Sequence, residues 1–389
     1  MRRFEVAERR ARLVRRHRLS PAIRAHDVLD AVRSVVALHS TDPVTVFLSA
    51  WARTSGFRPV DLERALYDER TLVRMLGMRR TLFVVPRELV GVVDAACARA
   101  VAAQERRKLE RFVAESGLSE DPSAWIEAAA AAALDALGAR DGAFAGELSG
   151  DHPALSQRIR IGVGTRWETD VGAASRILLL LGAEGAIVRD RPRGSWVGSQ
   201  YRWVPVARLG PFERPEPADA RTELLRRYLA AFGPATEADI RWWTGWTARD
   251  ARAARADVEH AEVDLAGATG YVLADDLEPE PMSEPTAALL PSLDPTTMGW
   301  KERDWYLGPH VESVFDRNGN AGPTVWWGGR IIGGWTQRPD GEIAYRLLED
   351  VGNDADDAVE TESARLAAWL GDVRITPRFR TPLQRELSA

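Results

Sequence analysis

The sequence predicts an α+β fold that is mainly helical, with one pattern repeated three times and a different C-terminal region. In each repeat, amphipathic helical stretches precede two short strand-like stretches, which is the element order of a winged helix. After the proline-rich stretch 279–285 the chain becomes rich in aromatic residues and glycines. This texture predicts a small β-barrel or sheet. The resulting domains are residues 1–120, 121–215, 216–280 and 281–389.

Composition limits the kind of protein. With 389 residues the chain can bury several cores, and a single cysteine, Cys97, excludes an internal disulfide and a cysteine-based zinc site within one chain. The N-terminus has no apolar stretch of signal-peptide type, and the longest hydrophobic run, 177–188, is too short to span a bilayer. We expect a cytoplasmic monomer without a cofactor and without membrane attachment.

Charge is unevenly distributed along the chain. The net charge is −5, yet nine arginines fall within residues 1–24, and acidic residues gather at 275–284 and 349–362. This segregation predicts a basic face and separate acidic faces. The basic helix over residues 5–18 either lies along phosphates or is the solvated face of a core helix. Only two of the 52 basic residues are lysines, which codon bias in a GC-rich genome explains.

In the first repeat, two apolar helices are predicted to meet at Ala37–Pro43. Apolar residues recur at helical spacing on both sides, over 28–38 and 46–51, so the junction is predicted to be a helix-turn-helix corner. Asp42 before Pro43 fits a helix N-cap. The polar residues His39, Ser40 and Thr41 then lie on the turn. They form either a polar corner or a functional site. For His39, a structural role as a partly buried, hydrogen-bonded histidine is as compatible with the sequence as a functional one.

The remaining elements follow in order. A short helix at 60–67 precedes strands at 72–76 and 81–85, and residues 86–138 are helical scaffold. In the second repeat a helix at 173–181 precedes strands at 185–189 and 201–206, which flank a basic wing at 190–196. The third repeat has helices at 223–232, 237–244 and 248–258 and strands at 262–265 and 271–274. The C-terminal region ends in a helix at 363–370.

Several short motifs together resemble the AlkZ/YcaQ family of winged-helix DNA glycosylases. They are Ala37–Pro43, Trp51–Arg53, Met78–Leu82, Leu290–Pro295 and Gly328–Trp335. The resemblance implies three tandem winged helices that form a concave, positively lined cleft for duplex DNA. It also implies excision of N-alkylated purines, including bulky adducts and interstrand crosslinks, and often self-resistance in antibiotic producers. The family's catalytic signature is Gln-Φ-Gln or Gln-Φ-Asp, and the aligned residues here are His39, Ser40 and Thr41.

The chemistry still allows catalysis without the glutamines. An N7-alkylated guanine is cationic and leaves without a strong general acid, so the protein must position a water and support an oxocarbenium-like sugar. Neutral His39 can accept a proton from that water, and Thr41 can hold the water through its hydroxyl. Activity should then fall as the pH drops through the histidine pKa, whose reference value is about 6.5. Lyase activity needs an amine, and only Lys108, Lys301 and the N-terminus offer one, which favours a monofunctional hydrolase.

Contacts to DNA are expected from three places besides Ser40 and Asp42. Arginines in the turn of the first ribbon and in the second wing suit phosphates, and a C-terminal hairpin could probe the lesion through a groove. These residues are Arg79, Arg80, Arg189, Arg191, Arg193, Lys301, Arg303, Arg317, Asn318 and Asn320. Trp300, Trp305, Trp326 and Trp327 either stack on an adduct or, as is commoner, pack in the core.

Three functions are compatible with these patterns. The first is a monofunctional DNA glycosylase that hydrolyses the N-glycosyl bond of a bulky or crosslinking N7-alkylguanine in double-stranded DNA, for self-resistance to a DNA-alkylating natural product. The second is a non-catalytic DNA-binding regulator or lesion sensor. The third, a purely structural scaffold, is weaker because His39, Ser40 and Thr41 keep polar groups that can hold water.

Overall fold

The first part of the chain combines helices with a small sheet. A computed structural model describes residues 1–281, 284–378 and 380–388. Its first elements are β1 (Arg2–Arg3), α1 (Val6–Arg16), α2 (Val28–Arg33), β2 (Leu38–His39), α3 (Pro43–Arg53), α4 (Pro59–Glu63), β3 (Leu72–Leu76) and β4 (Leu82–Pro86). The strands β3 and β4 pair antiparallel, as predicted, and β2 adds to β4, giving the order β2-β4-β3.

The predicted helix-turn-helix corner is wrong in one respect. The helix α2 ends at Arg33, and Leu38–His39 form a strand instead of the last helical turn. Val36 has a positive φ of 65°, a conformation that a helix cannot continue through. The position of His39 is therefore fixed by strand pairing with Phe83 of β4, and not by a turn.

The second part of the chain packs around its own core. It contains α5 (Val90–Val93), α6 (Arg99–Glu115), α7 (Pro122–Ala139), α8 (Ala145–Leu148), α9 (Pro153–Ser156), β5 (Arg158–Ile161), β6 (Thr169–Gly172), α10 (Ala173–Ala183), β7 (Ile187–Pro192) and β8 (Tyr201–Pro205). Buried residues such as Leu109, Ile126 and Ile177 join α6, α7 and α10 in a cluster separate from the main core. The pairing of β5 with β6 was not predicted, although Arg158–Ile161 alternates polar and apolar residues as a strand does.

The third part recruits the N-terminal strand. It contains α11 (Pro217–Phe232), α12 (Glu237–Thr244), α13 (Ala248–Ala256), β9 (His260–Leu265) and β10 (Ala268–Leu273). The ribbon β9–β10 is antiparallel as predicted, and β1 pairs parallel with β9, with Arg2 opposite Val263. The beginning of the chain thus completes a sheet more than two hundred residues away.

The C-terminal part contains a four-stranded antiparallel sheet, so the sheet rather than the barrel is the correct one of the two predicted alternatives. Its elements are β11 (Ala287–Leu290), α14 (Asp304–Leu307), α15 (Val311–Val314), β12 (Thr324–Trp327), β13 (Arg330–Gln337), β14 (Ile343–Leu347), α16 (Asn353–Leu370) and α17 (Pro382–Leu387). The last predicted helix starts earlier than expected, at Asn353, with Asp354 and Asp356 in its first turn, where the helix dipole stabilises negative charge.

The basic N-terminal helix pairs with acidic residues of the same chain. Arg12, only 2% exposed, donates to Asp276 at 2.9 Å, and Arg16 donates to both carboxylate oxygens of Asp276 at 2.6 and 2.8 Å. Arg15 pairs with Glu280. Three arginines of this helix are therefore paired with the acidic segment 276–280, and the predicted basic and acidic faces stay a prediction.

Each of the three predicted repeats does place helices before an antiparallel strand pair, namely β3–β4, β7–β8 and β9–β10. Their description as winged helices, the domain bounds and a concave cleft remain predictions. None of the helices in the described part of the chain is long and apolar enough to cross a membrane.

Candidate functional site

His39 is buried beside an aromatic ring and a guanidinium. It is 5% exposed, and its imidazole meets the Phe83 ring edge to face at 5.2 Å. The backbone N–H of Thr41 donates to Nδ1 over 3.5 Å, a long hydrogen bond that leaves Nδ1 able to accept from a closer donor. Since Nδ1 is the acceptor, the neutral ring carries its proton on Nε2.

The surroundings keep His39 neutral. Burial, with a smaller contribution from the positive charge of Arg79, lowers the pKa of His39 to about 3. With this pKa the imidazole would take up its proton well below the reference value of about 6.5, and the predicted dependence of activity on that protonation stays a prediction. The same shift makes His39 a hydrogen-bond acceptor with little affinity for a proton.

Ser40 is fixed by a buried arginine. It is 1% exposed, its N–H donates to the Leu82 carbonyl at 2.7 Å, and its hydroxyl oxygen accepts from Nε of Arg74 at 2.7 Å. Arg74 also donates to the Tyr67 hydroxyl at 3.1 Å, and its guanidinium lies 4.3 Å from the centre of the Tyr201 ring. Ser40 therefore links the motif to a buried cation rather than to solvent.

Asp42 has the capping role that its sequence context predicts. Its carboxylate accepts from the N–H of Val44 at 3.2 Å and from the N–H of Arg378 at 3.2 Å. Burial raises the pKa of this carboxyl, although both hydrogen bonds oppose the shift. Thr41 is half-buried, and its carbonyl accepts from the Arg378 guanidinium at 3.2 Å. The segment around Arg378 thus closes over the start of α3.

The helix α3 is anchored to the C-terminal motif Leu290–Pro295. Arg53 donates to the two carboxylate oxygens of Asp294 at 2.9 and 2.6 Å, and both side chains are fully buried. Ser49 donates to the same carboxylate at 2.7 Å, and Thr45 donates to the Ser292 carbonyl at 2.8 Å. Two motifs that are far apart in the sequence therefore fix the helix that follows His39, Ser40 and Thr41.

Two predicted DNA-contacting arginines share one indole. The guanidiniums of Arg79 and Arg303 lie 4.0 and 4.9 Å from the centre of the Trp242 ring. Burial and the charge of Arg303 lower the pKa of Arg79 to about 10. No ion pair connects either arginine to a carboxylate in the part of the chain that the structure describes. The positive charge of this pair is therefore not balanced by a described carboxylate, and that of Arg79 acts on His39.

Other predicted DNA contacts are already engaged within the protein. Arg80 pairs with Glu105, Arg191 donates to Asp68 at 2.7 and 2.9 Å, and Arg193 lies 3.5 Å from Glu147. The turn at 316–320 is a formed hairpin. There Asp316 accepts from the N–H groups of Asn318 and Asn320 at 2.8 and 2.9 Å, with Arg317 exposed at the tip. Lys301 is exposed, and its N–H donates to Asp239. Whether these residues touch DNA remains a prediction.

The tryptophans considered for stacking are mostly internal. Trp300 and Trp326 are buried, and the indole N–H of Trp300 donates to the Phe232 carbonyl at 3.0 Å. Trp305 and Trp327 are half-buried. Sequence reasoning missed Arg74, Tyr201, Trp242 and Arg378 as neighbours of the motif. They come from four distant segments, and only the tertiary fold brings them together. No group of three or more His, Cys, Asp or Glu side chains suited to a metal ion occurs within residues 1–281, 284–378 and 380–388.

Comparison with known proteins places the chain in the class of DNA glycosylases. A family model described as "DNA glycosylase AlkZ-like" matches residues 32–369, so the chain belongs to the AlkZ-like DNA glycosylase family. The resemblance inferred from the motifs is confirmed.

Two comparisons concern the same bacterium. A curated relative from Streptomyces sahachiroi, described as "Interstrand DNA cross-link repair glycosylase", is 30% identical over 174 residues, which are 42% of this chain and 47% of the relative. The alignment therefore spans about half the length of that protein. The solved structure of Streptomyces sahachiroi DNA glycosylase AlkZ superposes with a TM-score of 0.71, at 21% identity, over 97% of this chain and 99% of that one. At this identity the match shows a shared fold.

Proposed function

We propose that the chain is a monofunctional DNA glycosylase that hydrolyses the N-glycosyl bond of bulky or crosslinking N7-alkylguanine in duplex DNA, as self-resistance to a DNA-alkylating natural product. The observation that supports it most is the placement of His39 at the family's motif position, with its ring held against Phe83 and Thr41 two residues on. Membership of a glycosylase family and the description of the relative as a crosslink repair enzyme support the reaction and the substrate class.

In this proposal His39 orients water in the way a glutamine would. Its Nδ1 accepts a hydrogen bond from the attacking water. The hydroxyl of Thr41, two residues further along the chain, forms a second hydrogen bond with the same water. A neutral acceptor is sufficient because the alkylated guanine is already cationic and takes the bonding electrons as it leaves. The water adds to a sugar with oxocarbenium character, and its proton then passes to solvent, since a water bonded to the sugar carbon is strongly acidic.

The tested reaction is excision from DNA that carries a defined N7-guanine adduct. Wild-type protein should release free base and leave an intact abasic strand, which breaks only after alkali or heat. His39→Ala should lower single-turnover excision, because the attacking water loses the acceptor that orients it. His39→Gln should retain most activity, because the amide oxygen can accept from the same water.

The variants also separate catalysis from folding. Each is compared with wild type for duplex affinity and melting temperature, and both should be nearly unchanged in His39→Gln. A folded His39→Ala variant with wild-type excision would remove His39 from the mechanism. Covalent trapping of the protein on DNA by borohydride would contradict the monofunctional reaction and point to an amine such as Lys301.

One observation favours a second candidate, the non-catalytic lesion sensor. An imidazole with a pKa of about 3 is a poor general base, and neither outer glutamine of the family signature is present. A protein of this kind would bind adduct-containing duplexes selectively without releasing base from any member of an N7-guanine adduct panel. The excision assay therefore distinguishes the two candidates directly.

A further inference from the structure

A cavity of about 610 Å³ lies between α8, α10 and the strands β7 and β8. Its walls include the aromatic rings of Phe144, Tyr201 and Trp203, and two arginines, Arg189 and Arg193. The volume falls within the range of about 300–1,000 Å³ that is usual for small-molecule sites, and aromatic walls with a few polar groups are typical of such sites. Nothing in the glycosylase reaction proposed above uses this cavity.

Arg189 is the group in this cavity that lacks a partner. Its guanidinium lies 5.0 and 5.4 Å from the centres of the Trp203 and Tyr201 rings. No hydrogen bond or ion pair joins it to the described part of the chain, and its Nε is shielded from solvent. Burial, together with the positive charges of Arg74 and Arg378, lowers the pKa of Arg189 to about 10. A cation held among cations and aromatic rings strongly favours an anionic or oxygen-rich ligand.

The negative charge on the cavity wall is already paired with an arginine. Glu147 lies on the wall, but it pairs with Arg193 at 3.5 Å, and Arg193 stacks on Phe144 at 4.5 Å. Ser175 also contributes to the wall and lies in the first turn of α10, where the helix dipole favours negative charge. The net charge around the cavity is thus positive, with flat apolar surfaces beside it.

The cavity adjoins the His39 motif through a single side chain. Arg74 binds the Ser40 hydroxyl with Nε, and the same guanidinium lies 4.3 Å from the centre of the Tyr201 ring, which forms the cavity wall. The Tyr201 ring therefore contacts both the cavity and the guanidinium that holds Ser40.

We propose that this cavity binds the non-base part of the adduct, a planar aromatic group that carries a carboxylate or a comparable oxygen acceptor facing Arg189. The aromatic group packs between Phe144, Tyr201 and Trp203, and the acceptor takes hydrogen bonds from the terminal nitrogens of Arg189. This inference rests on the proposed function and adds a substrate class to it. The cavity selects among adducts, while His39 acts on the bond that they share.

The test uses duplexes that carry N7-methylguanine, N7-(biphenylmethyl)guanine or its carboxylated analogue. Wild-type protein should excise the carboxylated adduct fastest. Arg189→Met should lower single-turnover excision of that adduct by about tenfold or more, the usual worth of a charge-assisted hydrogen bond, and leave the methyl adduct within about twofold. Arg189→Lys should restore part of the preference. Arg202→Met is the matched control, because Arg202 lies on the opposite face of β8 from Tyr201 and Trp203.

A second measurement is independent of catalysis. Calorimetric titration with biphenyl carboxylate should show binding to wild type and to Arg202→Met, and none to Arg189→Met. If wild type excises no adduct, the proposed function fails, and this titration alone supports or overturns the cavity as a ligand site. Equal losses on all three adducts, with a flatter salt dependence of undamaged-duplex binding, would show that Arg189 contacts phosphate and would overturn the proposal.

Discussion

At the residue scale, the proposed role of His39 ties the pH dependence of excision to the burial of its ring. Because the pKa of His39 is about 3, the imidazole has the same neutral form at pH 7 and at pH 5. We expect single-turnover excision to change little across this interval when measured on folded protein. An inflection near pH 6.5 that disappears in His39→Gln would contradict this expectation and show an ordinary, solvated histidine.

The free energy of unfolding, in contrast to excision, should depend on pH in this interval. In the unfolded chain a histidine takes up a proton near pH 6.5, whereas burial lowers the folded pKa of both His39 and His17 to about 3. The unfolded state therefore binds more protons between these values, and the free energy of unfolding falls as the pH drops, by about 1.4 kcal/mol per pH unit for each histidine.

Denaturant titrations between pH 4 and pH 7, in the range set by these two pKa values, measure the slope. His39→Gln should reduce proton uptake on unfolding by about one, because the variant lacks one of the two buried imidazoles. An unchanged slope in His39→Gln would show that His39 is protonated in the folded protein.

The types of residue at the site could be predicted from the sequence, but their electrostatic state could not. A histidine two residues before a threonine, with a capped helix behind them, is visible in the sequence. The His39 ring is buried against Phe83 of β4, and the positive charge that acts on it belongs to Arg79 in the turn between β3 and β4. The arginine that holds Ser40 belongs to β3, and no local pattern indicates which side of that strand it faces.

At the scale of elements, the anchoring of α3 should dominate local stability. Asp294→Asn leaves the buried guanidinium of Arg53 without a counter-charge, and breaking a buried pair costs about 3–5 kcal/mol in unfolding free energy. Glu386→Gln, which breaks the exposed pair with Arg346, should cost at most about 1 kcal/mol. Chemical denaturation of both variants checks the difference, and equal small losses would mean that water reaches Arg53.

The ribbon of β3 and β4 should contribute more to DNA binding than the second wing. Arg79→Gln removes a charge that no described carboxylate balances, so affinity for undamaged duplex should fall and the salt slope should decrease by about one. Arg191→Gln with Asp68→Asn removes a complete ion pair and should change little. Titrations at several salt concentrations compare them. A larger loss from the double variant would support phosphate contacts by the wing, as the sequence predicts.

Elements with strong local patterns could be predicted closely. The strand 72–76 and the helix 237–244 have the predicted bounds. Errors arose where tertiary pairing overrides local preference, as at β2, or where the partner lies far away in the sequence, as at β1. The helix α16 was predicted too short because its first half is acidic, and acidic residues suit both a solvated segment and the start of a helix.

At the scale of the whole molecule, the two largest of the buried clusters predict two levels of stability. Ile177 belongs to the core of α6, α7 and α10, whereas Leu225 belongs to the main core. Ile177→Ala should cost about 2–5 kcal/mol and expose residues 109–187 to hydrogen exchange before the rest. Leu225→Ala should instead raise exchange in the other regions. Uniform loss of protection in both variants, measured by mass spectrometry, would show one cooperative unit.

The closure of the N-terminus onto the third part of the chain has a consequence for synthesis on the ribosome. The strand β1 needs β9, and the arginines of α1 need Asp276, so neither can settle until about 280 residues have been made. Until then Arg15 and Arg16 of this amphipathic helix lack the acidic partners that they have in the folded protein. The acidic segment 276–280 therefore neutralises these arginines only at a late stage of synthesis.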